Sequence, residues 1–469
     1  MSSPISPEAP GRAEPDTNSL GSGLKTRHLT MMGLGSAIGA GLFLGTGVGI
    51  ETAGPAILLA YIIAGILVVL VMTMLGEMAA ARPSSGSFST YARQAFGHSS
   101  GFLLGWLYWF MLVMVMGTEL TGASAMMGGW FGVDPWIPAL VCVVFFTIVN
   151  FAAVKGFGEF EFWFAFIKIA VIVAFLVIGV LLWLGVLPGH SFVGLSNVDG
   201  VGFAPNGIPG IAAGLLAVAF AFGGIELVTI AAAESENPAE SIATAVRSII
   251  VRISLFYLGS VAVIVLLLPY ETISDAETAA ESPFTRVLAL ANIPGIVGFM
   301  EAVIVLALLS AFNAQIYATS RLIHNLSEQR DAPAIFRRTN AEGVPRNAVV
   351  LSIIFAFLSV ALMWWNPPGL LGFLLNAVGG CLIVIWIMIT LSYLKLHPEL
   401  EANGELSTVR FAGYPWLGWL TLAGLLGLTA LMLFDPSARG QIVSVVAIVT
   451  VLLLLSLLTR GKAAEVTQH

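Results

Sequence analysis

Four ionisable residues lie inside long apolar runs of this sequence: Glu119, Lys168, Glu226 and Glu301. On insertion scales, an ionised side chain at mid-bilayer costs about 2.5–3.5 kcal/mol. A charge kept at such a depth either closes an ion pair between helices or takes part in moving a proton, an ion or a charged solute. The functional reading is preferred for Lys168 and Glu226. For Glu119, and more so for Glu301, a structural ion pair is the stronger alternative. Lys168 stands between Ala165-Phe-Ile and Ile169-Ala-Val-Ile, with no polar neighbour. Burial disfavours its ammonium form, which equips it to release a proton. Glu77, at the end of its run, reads as a helix-end or loop-anchoring group.

Glycine adds a second kind of chemistry. The first apolar run, Gly33-Leu-Gly-Ser-Ala-Ile-Gly-Ala-Gly-Leu-Phe-Leu-Gly-Thr-Gly-Val-Gly49, holds seven glycines in seventeen residues. The sixth contains Ala219-Phe-Ala-Phe-Gly-Gly-Ile-Glu226. Glycine weakens a helix by about 1 kcal/mol relative to alanine, so such clusters invite local unwinding. Unwound backbone at membrane depth must face protein or a water-filled cavity. Close helix packing through the Gly-x-x-x-Gly spacings Gly35/Gly39, Gly41/Gly45 and Gly45/Gly49 is the alternative for either cluster alone.

These residues need a frame to hold them. Of the 469 residues, 58% are hydrophobic and only 10% charged, against about 25% charged in a soluble domain. The apolar sequence divides into twelve runs of membrane-spanning length, at 29–50, 55–80, 100–126, 135–154, 160–186, 208–233, 246–269, 294–324, 347–365, 369–393, 413–434 and 441–459. The fold class is therefore an all-α polytopic membrane protein. With the amino terminus inside, seventeen Lys and Arg fall on the cytoplasmic side against two, Arg286 and Arg439, outside. That asymmetry puts both termini in the cytoplasm. Residues 1–28, rich in Ser, Pro and Gly, are expected to form a disordered tail and not a signal peptide.

The remaining composition excludes more than it assigns. Cys142 and Cys381 sit in apolar runs as small buried residues, and the six histidines show no ligand spacing, so no metal or other cofactor is expected. There is no P-loop for ATP, and nothing suggests a nucleic-acid partner. An intramembrane enzyme would need a nucleophile–base or metal set at one depth, and none is visible.

The two glycine-rich runs are the first and the sixth, five apart. Five is odd, so a second five-helix unit would sit inverted in the bilayer. Paired interruptions at corresponding positions are the mark of inverted-repeat transporters.

Along nearly its whole length the chain resembles the amino acid transporter family of the amino acid–polyamine–organocation (APC) superfamily. The matching stretches are Gly33 to Phe43, Leu75-Gly-Glu-Met-Ala79, Glu119-Leu-Thr121, Gly158-Glu-Phe-Glu-Phe-Trp-Phe164 with Lys168, Gly223-Gly-Ile-Glu226, Asn313-Ala-Gln-Ile-Tyr-Ala-Thr-Ser-Arg321 and Gly343-Val-Pro-Arg-Asn347. Within the family it is most similar to bacterial aromatic amino acid permeases. The resemblance implies a leucine-transporter-like fold of twelve transmembrane helices. A 5+5 inverted repeat (29–186 and 208–393, with helices one and six broken) would be joined by an extracellular loop, 187–207. Helices eleven and twelve (394–459) and a cytoplasmic tail (460–469) would follow. It also implies proton-driven uptake of amino acids across the bacterial inner membrane, with the substrate, protons and lipid as the only partners. An exchanger, a permease for other neutral amino acids, a channel and an amino acid sensor are the alternatives.

A zwitterion needs partners at both ends. Backbone N–H groups around Ser36, Ala37, Ile38, Gly39, Ala40 and Gly41 are expected to face its carboxylate. Carbonyls near Ala221 and Gly223 would face its ammonium, and Phe220 and Phe222, flanking the second break, would meet an aromatic side chain. Lys168 is expected to take the place of the sodium ion of related transporters, with Glu226 and then Glu119 as further proton-coupling candidates.

Overall fold

The computed structural model describes residues 38–84, 86–152, 157–199, 202–226, 238–273, 282–340, 344–367, 370–406, 410–434 and 436–464. The expected tail 1–28 lies outside them. Among the described residues all regular structure is helical. The chain enters through α1 (Ala40–Phe43) and α2 (Gly45–Ala53), split by a turn at Leu44. It continues through α3 (Ile57–Ala81), α4 (Ser87–Phe96), α5 (His98–Phe131), α6 (Trp136–Ala152), α7 (Phe157–Trp183) and the single turn α8 (Ser196–Asp199). The second half comprises α9 (Gly207–Ala221), α10 (Pro238–Val251), a π-helical segment Arg252–Leu258, α11 (Gly259–Leu267), α12 (Pro283–Leu290), α13 (Ile296–Glu328), α14 (Arg346–Trp365), α15 (Leu370–Ala402), α16 (Trp416–Met432) and α17 (Pro436–Ala464). Eight helices among the described residues are long and apolar enough to cross a membrane, and three shorter apolar helices accompany them.

The long helices are apolar on every face. On α3, Tyr61, Ala64 and Val68 are buried, while Ile62, Ile63 and Ile66 on the other side are exposed. A helix in water would carry polar residues there; one in lipid need not. Burial then separates centre from periphery. Most of α5 is enclosed, with α13 and α15 packed along it, whereas α17 presents Val443, Val446, Leu454 and Leu458 outward.

Two short helices arise where the sequence reading placed only loops. In α4, Phe88, Tyr91, Ala92 and Ala95 are buried, an i, i+3, i+4, i+7 stripe. Phe88 meets Tyr108 of α5 edge-on, with ring centroids 4.7 Å apart. In α12, Phe284, Val287 and Leu288 form the buried face. Phe284 packs on Phe43 and Phe175, with centroids 5.1 and 4.7 Å away. Ser282, just before α12, donates to the Phe43 carbonyl at 2.9 Å, beside the turn at Leu44.

Helix α15 continues to Ala402, nine residues beyond the expected end at 393. The extension carries its own buried stripe of Tyr393, Leu396, His397 and Leu400, which docks on the C-terminal end of α3. There Glu77 anchors a loop, as expected. Its Oε1 lies 2.6 Å from His397 Nδ1, and its Oε2 accepts the Phe411 N–H at 2.6 Å. The His397 ring stacks on Tyr414 with centroids 4.0 Å apart. Beside it Arg82 donates to Glu405 at 2.6 Å and to Glu399 at 2.8 Å. The guanidinium holds the Glu405 carboxyl down at about 2.

Glu301 departs from its expected place. It lies in the second turn of α13, half-buried, and accepts a hydrogen bond from Trp130 Nε1 at 3.0 Å. At that helix end its charge need not enter the apolar core.

Candidate substrate site between two helix breaks

The two glycine clusters meet. Helix α9 ends at Ala221 and gives way to turns through Glu226, and α1 begins beside it at Ala40. A Cβ added to Gly41 would stand 2.7 Å from Ala221 Cα and 3.3 Å from the Ala221 and Phe220 carbonyl oxygens. The two backbones therefore touch, and only glycine fits at 41. A Cβ on Gly39 would collide with the Glu119 carboxylate.

Glu119 closes this junction from α5. Both carboxylate oxygens accept from the Ala40 N–H, at 3.1 and 3.0 Å. The contact has a simple cause. The first N–H groups of a helix lack partners inside it, and a buried donor needs an acceptor. The N–H expected to face a substrate carboxylate thus already holds a carboxylate. Glu119 is 4% exposed, and Lys168 of α7, 2% exposed, lies within electrostatic reach of it. The hydrogen-bonding contact of Glu119 is thus to backbone, with Lys168 as the charge nearby.

A small cavity of about 10 Å³, room for about one water molecule, lies at this point. Gly41, Ala221 and Gly223 supply backbone from the two breaks. Val115 and Glu119, one turn apart on α5, form a second wall, and Phe220 and Gln315 complete it. The arrangement brings together one carboxylate, one carboxamide, an aromatic ring and the backbone of both breaks.

Of the residues expected here, Gly39, Ala40, Gly41, Phe220, Ala221 and Gly223 come together around Glu119. Ile38 is buried immediately before α1. Ser36 and Ala37 lie outside the described residues. Phe222 turns away: its ring packs on Tyr61 and Tyr257, at 5.8 and 5.2 Å between centroids. Tyr61 in turn bonds Thr46 of α2 at 3.1 Å, so Phe222 belongs to the packing between α2, α3 and the π-helical segment. Glu226 is fully buried and accepts from the Gly224 N–H at 3.2 Å, with the Tyr108 phenol beside it. It does not line the pocket.

Sequence reasoning missed Val115 and Gln315. Val115 carries no signal in an apolar helix. Gln315 does: it is a carboxamide inside a span, and polar groups there call for a partner. Among the described residues no group of three or more His, Cys, Asp or Glu could hold a metal ion.

Comparison with known proteins places these features in a family. The amino acid permease family matches residues 28–466. The aromatic amino acid transport protein AroP of Corynebacterium glutamicum is 70% identical over 441 residues, covering 94% of this chain and 95% of that one. The gamma-aminobutyric acid permease of Bacillus subtilis is 39% identical, covering 94% and 93%. AroP of Escherichia coli K12 is 36% identical, covering 93% and 94%. Among solved structures, a manganese transporter of Eremococcus coleocola shares the fold with a TM-score of 0.55 at 14% identity, covering 96% of this chain and 99% of that one. The molecule is thus an all-α polytopic protein of the bacterial inner membrane, with the inverted-repeat, broken-helix fold of leucine-type transporters, and a transporter rather than an enzyme. The chain belongs to the amino acid permease family of the APC superfamily.

Proposed function

We propose that this permease carries the aromatic amino acids phenylalanine, tyrosine and tryptophan inward together with protons, by alternating access around the pocket between α1 and α9. The observation that carries the substrate class is the 70% identity, over almost the full length, to a protein described as an aromatic amino acid transporter. Phe220 and Val115 at the pocket support an apolar side chain. An edge-to-face or offset ring contact with Phe220 adds about 0.5–1.5 kcal/mol beyond area burial. Overlap with other large apolar amino acids follows, because apolar pockets discriminate only modestly.

The coupling step rests on the Ala40 N–H. A substrate carboxylate directed at the α1 break competes with Glu119 for that donor. Two anions cannot share it comfortably at low dielectric. A proton on Glu119 removes the conflict, and Lys168 supplies the countercharge while the proton is absent. Substrate and proton then arrive together. Lys168 and Glu119 act as a pair in this account, with Glu226 outside the pocket as the alternative proton carrier.

The twelve apolar segments of this account are α1–α2, α3, α5, α6, α7, α9, α10–α11, α13, α14, α15, α16 and α17. An even number of crossings, with the basic residues collected on one side, supports two cytoplasmic termini. The two repeats would comprise 29–186 and 208–393, with α16 and α17 appended.

Purified protein in proteoliposomes tests the reading with a panel of labelled amino acids, with and without an imposed inward proton gradient. Concentrative uptake of aromatic substrates that needs the gradient is expected. Stronger competition by lysine, glutamate or glycine than by phenylalanine would remove the aromatic assignment. Uptake that ignores the gradient but needs internal amino acid would make the protein an exchanger.

A further inference from the structure

Helix α13 brings a run of polar side chains to the centre of the molecule, and most of them have neighbours to satisfy them. Asn313 Oδ1 accepts from Asn150 Nδ2 of α6 at 2.8 Å. Thr319 Oγ1 lies 2.7 Å from Ser352 Oγ of α14. Gln315 lies between them in sequence; among the described residues the Asn313 amide nitrogen also lacks a partner, but of the three only Gln315 lines the pocket. Its side chain is 2% exposed, it borders the pocket, and its amide oxygen has no hydrogen-bond partner among the described residues. A buried acceptor left in this way costs free energy until a donor meets it. Among the described residues, the only other polar side chain lining the pocket, Glu119, is already engaged by the Ala40 N–H.

The position of that oxygen limits what can satisfy it. In the function proposed above, on which this step rests, the ammonium and carboxylate of the substrate go to the backbone of the two breaks. What is left for Gln315 is the substrate's side chain. A phenolic O–H or an indole N–H can donate to an amide oxygen, and a plain phenyl ring cannot. Val115 and Phe220 supply apolar contact that any of the three rings can use. We propose that Gln315 is a specificity-determining residue that reads a hydrogen-bond donor on the aromatic ring and so favours tyrosine and tryptophan over phenylalanine. A site that presents a buried acceptor discriminates against the analogue lacking the donor, because the acceptor is then left unmet.

The test is uptake efficiency for tyrosine, tryptophan, phenylalanine and 4-methylphenylalanine in proteoliposomes containing the full chain. The last matches tyrosine in shape but has no donor. The wild type is expected to favour tyrosine over 4-methylphenylalanine by about tenfold, the factor of a single modest hydrogen bond. In Gln315→Leu that ratio should fall to near one. Gln315→Glu retains an acceptor and should keep a preference for tyrosine. Each ratio is measured within one protein, so partial loss of folded material does not alter it. Equal loss of all four substrates in both variants would assign Gln315 to a group common to every amino acid and overturn the proposal. So would equal handling of tyrosine and 4-methylphenylalanine by the wild type, whatever the variants do. Wild-type protein that carries no aromatic substrate at all would instead refute the broader functional reading.

Discussion

Glu77 and Glu119 are both carboxylates buried within spanning helices, and they do opposite things. Glu77 is saturated: His397 holds one oxygen, the Phe411 N–H the other, and the groups around it are rings and a loop that pack tightly. Glu119 accepts from the backbone N–H of Ala40 and faces a pocket. Both bear the cost of a carboxylate in the membrane. The comparison teaches that burial alone does not identify a working group. What separates anchor from participant is whether another solute can take over one of its bonds.

The largest expected effect separates the two directly. Glu119→Ala should lower proton-driven uptake by about 10–100-fold, the worth of one charge-assisted hydrogen bond in a transport step, with a smaller loss of melting temperature in detergent than Glu77→Ala, because one buried donor is left unmet and not two. Glu77→Ala should do the reverse. It leaves the His397 ring nitrogen and the Phe411 N–H without their acceptor, at about 1–3 kcal/mol each. Stability should fall while uptake per folded molecule persists. Uptake assays and thermal melts on both variants check this, and the comparison breaks if each variant loses both properties to the same degree.

Phe220 and Phe222 repeat the contrast among aromatic residues. Phe222→Ala opens a cavity against Tyr61 and Tyr257 and should cost about 3–5 kcal/mol of stability. Phe220→Ala should weaken aromatic substrate binding by about tenfold or less, the worth of one ring contact, at smaller structural cost. Equilibrium binding of labelled phenylalanine beside a thermal melt separates the two. Weakened binding by a stable Phe222→Ala protein would reverse the assignment.

Much of this was legible in the sequence. Apolar runs announced the long helices, because lipid asks for the same chemistry on every face. The glycine clusters announced the breaks, and Glu77 was correctly read as a loop anchor from its place near a helix end. The side of the break on which Phe220 and Phe222 fall was not legible: once a helix unwinds, its 3.6-residue period no longer says where a side chain points. The depth of Glu301 depended on where α13 begins, which an apolar run marks only loosely. Helices α4 and α12 are too short to register as spans, yet their stripes of Phe88, Tyr91, Ala92 and of Phe284, Val287, Leu288 were present for a shorter window. Gln315 escaped because its neighbours Asn313 and Thr319 look equally polar, and only packing shows which of the three borders the pocket.

The smallest effect lies at the anchor on the C-terminal end of α3. Arg82 holds the Glu405 carboxyl at about 2, below its ordinary range. A carboxyl depressed on folding stabilises above its unfolded value and loses that contribution as pH falls toward its folded one. Arg82→Gln should therefore lower the melting temperature slightly at neutral pH, as expected of an exposed ion pair. The difference from wild type should shrink as pH falls from about 5 to about 3. A gap that widens on acidification would contradict this reading of the pair.

The central claim is that substrate binds where the backbones of α1 and α9 touch, and Gly41 tests it most directly. A valine side chain there begins 2.7 Å from Ala221 Cα, with backbone and no flexible side chain in the way. The measurement is equilibrium binding of labelled phenylalanine to purified Gly41→Val, with size-exclusion behaviour confirming folded protein. The account predicts a folded variant with no measurable binding at concentrations that saturate the wild type. Wild-type affinity in that variant would place the site elsewhere.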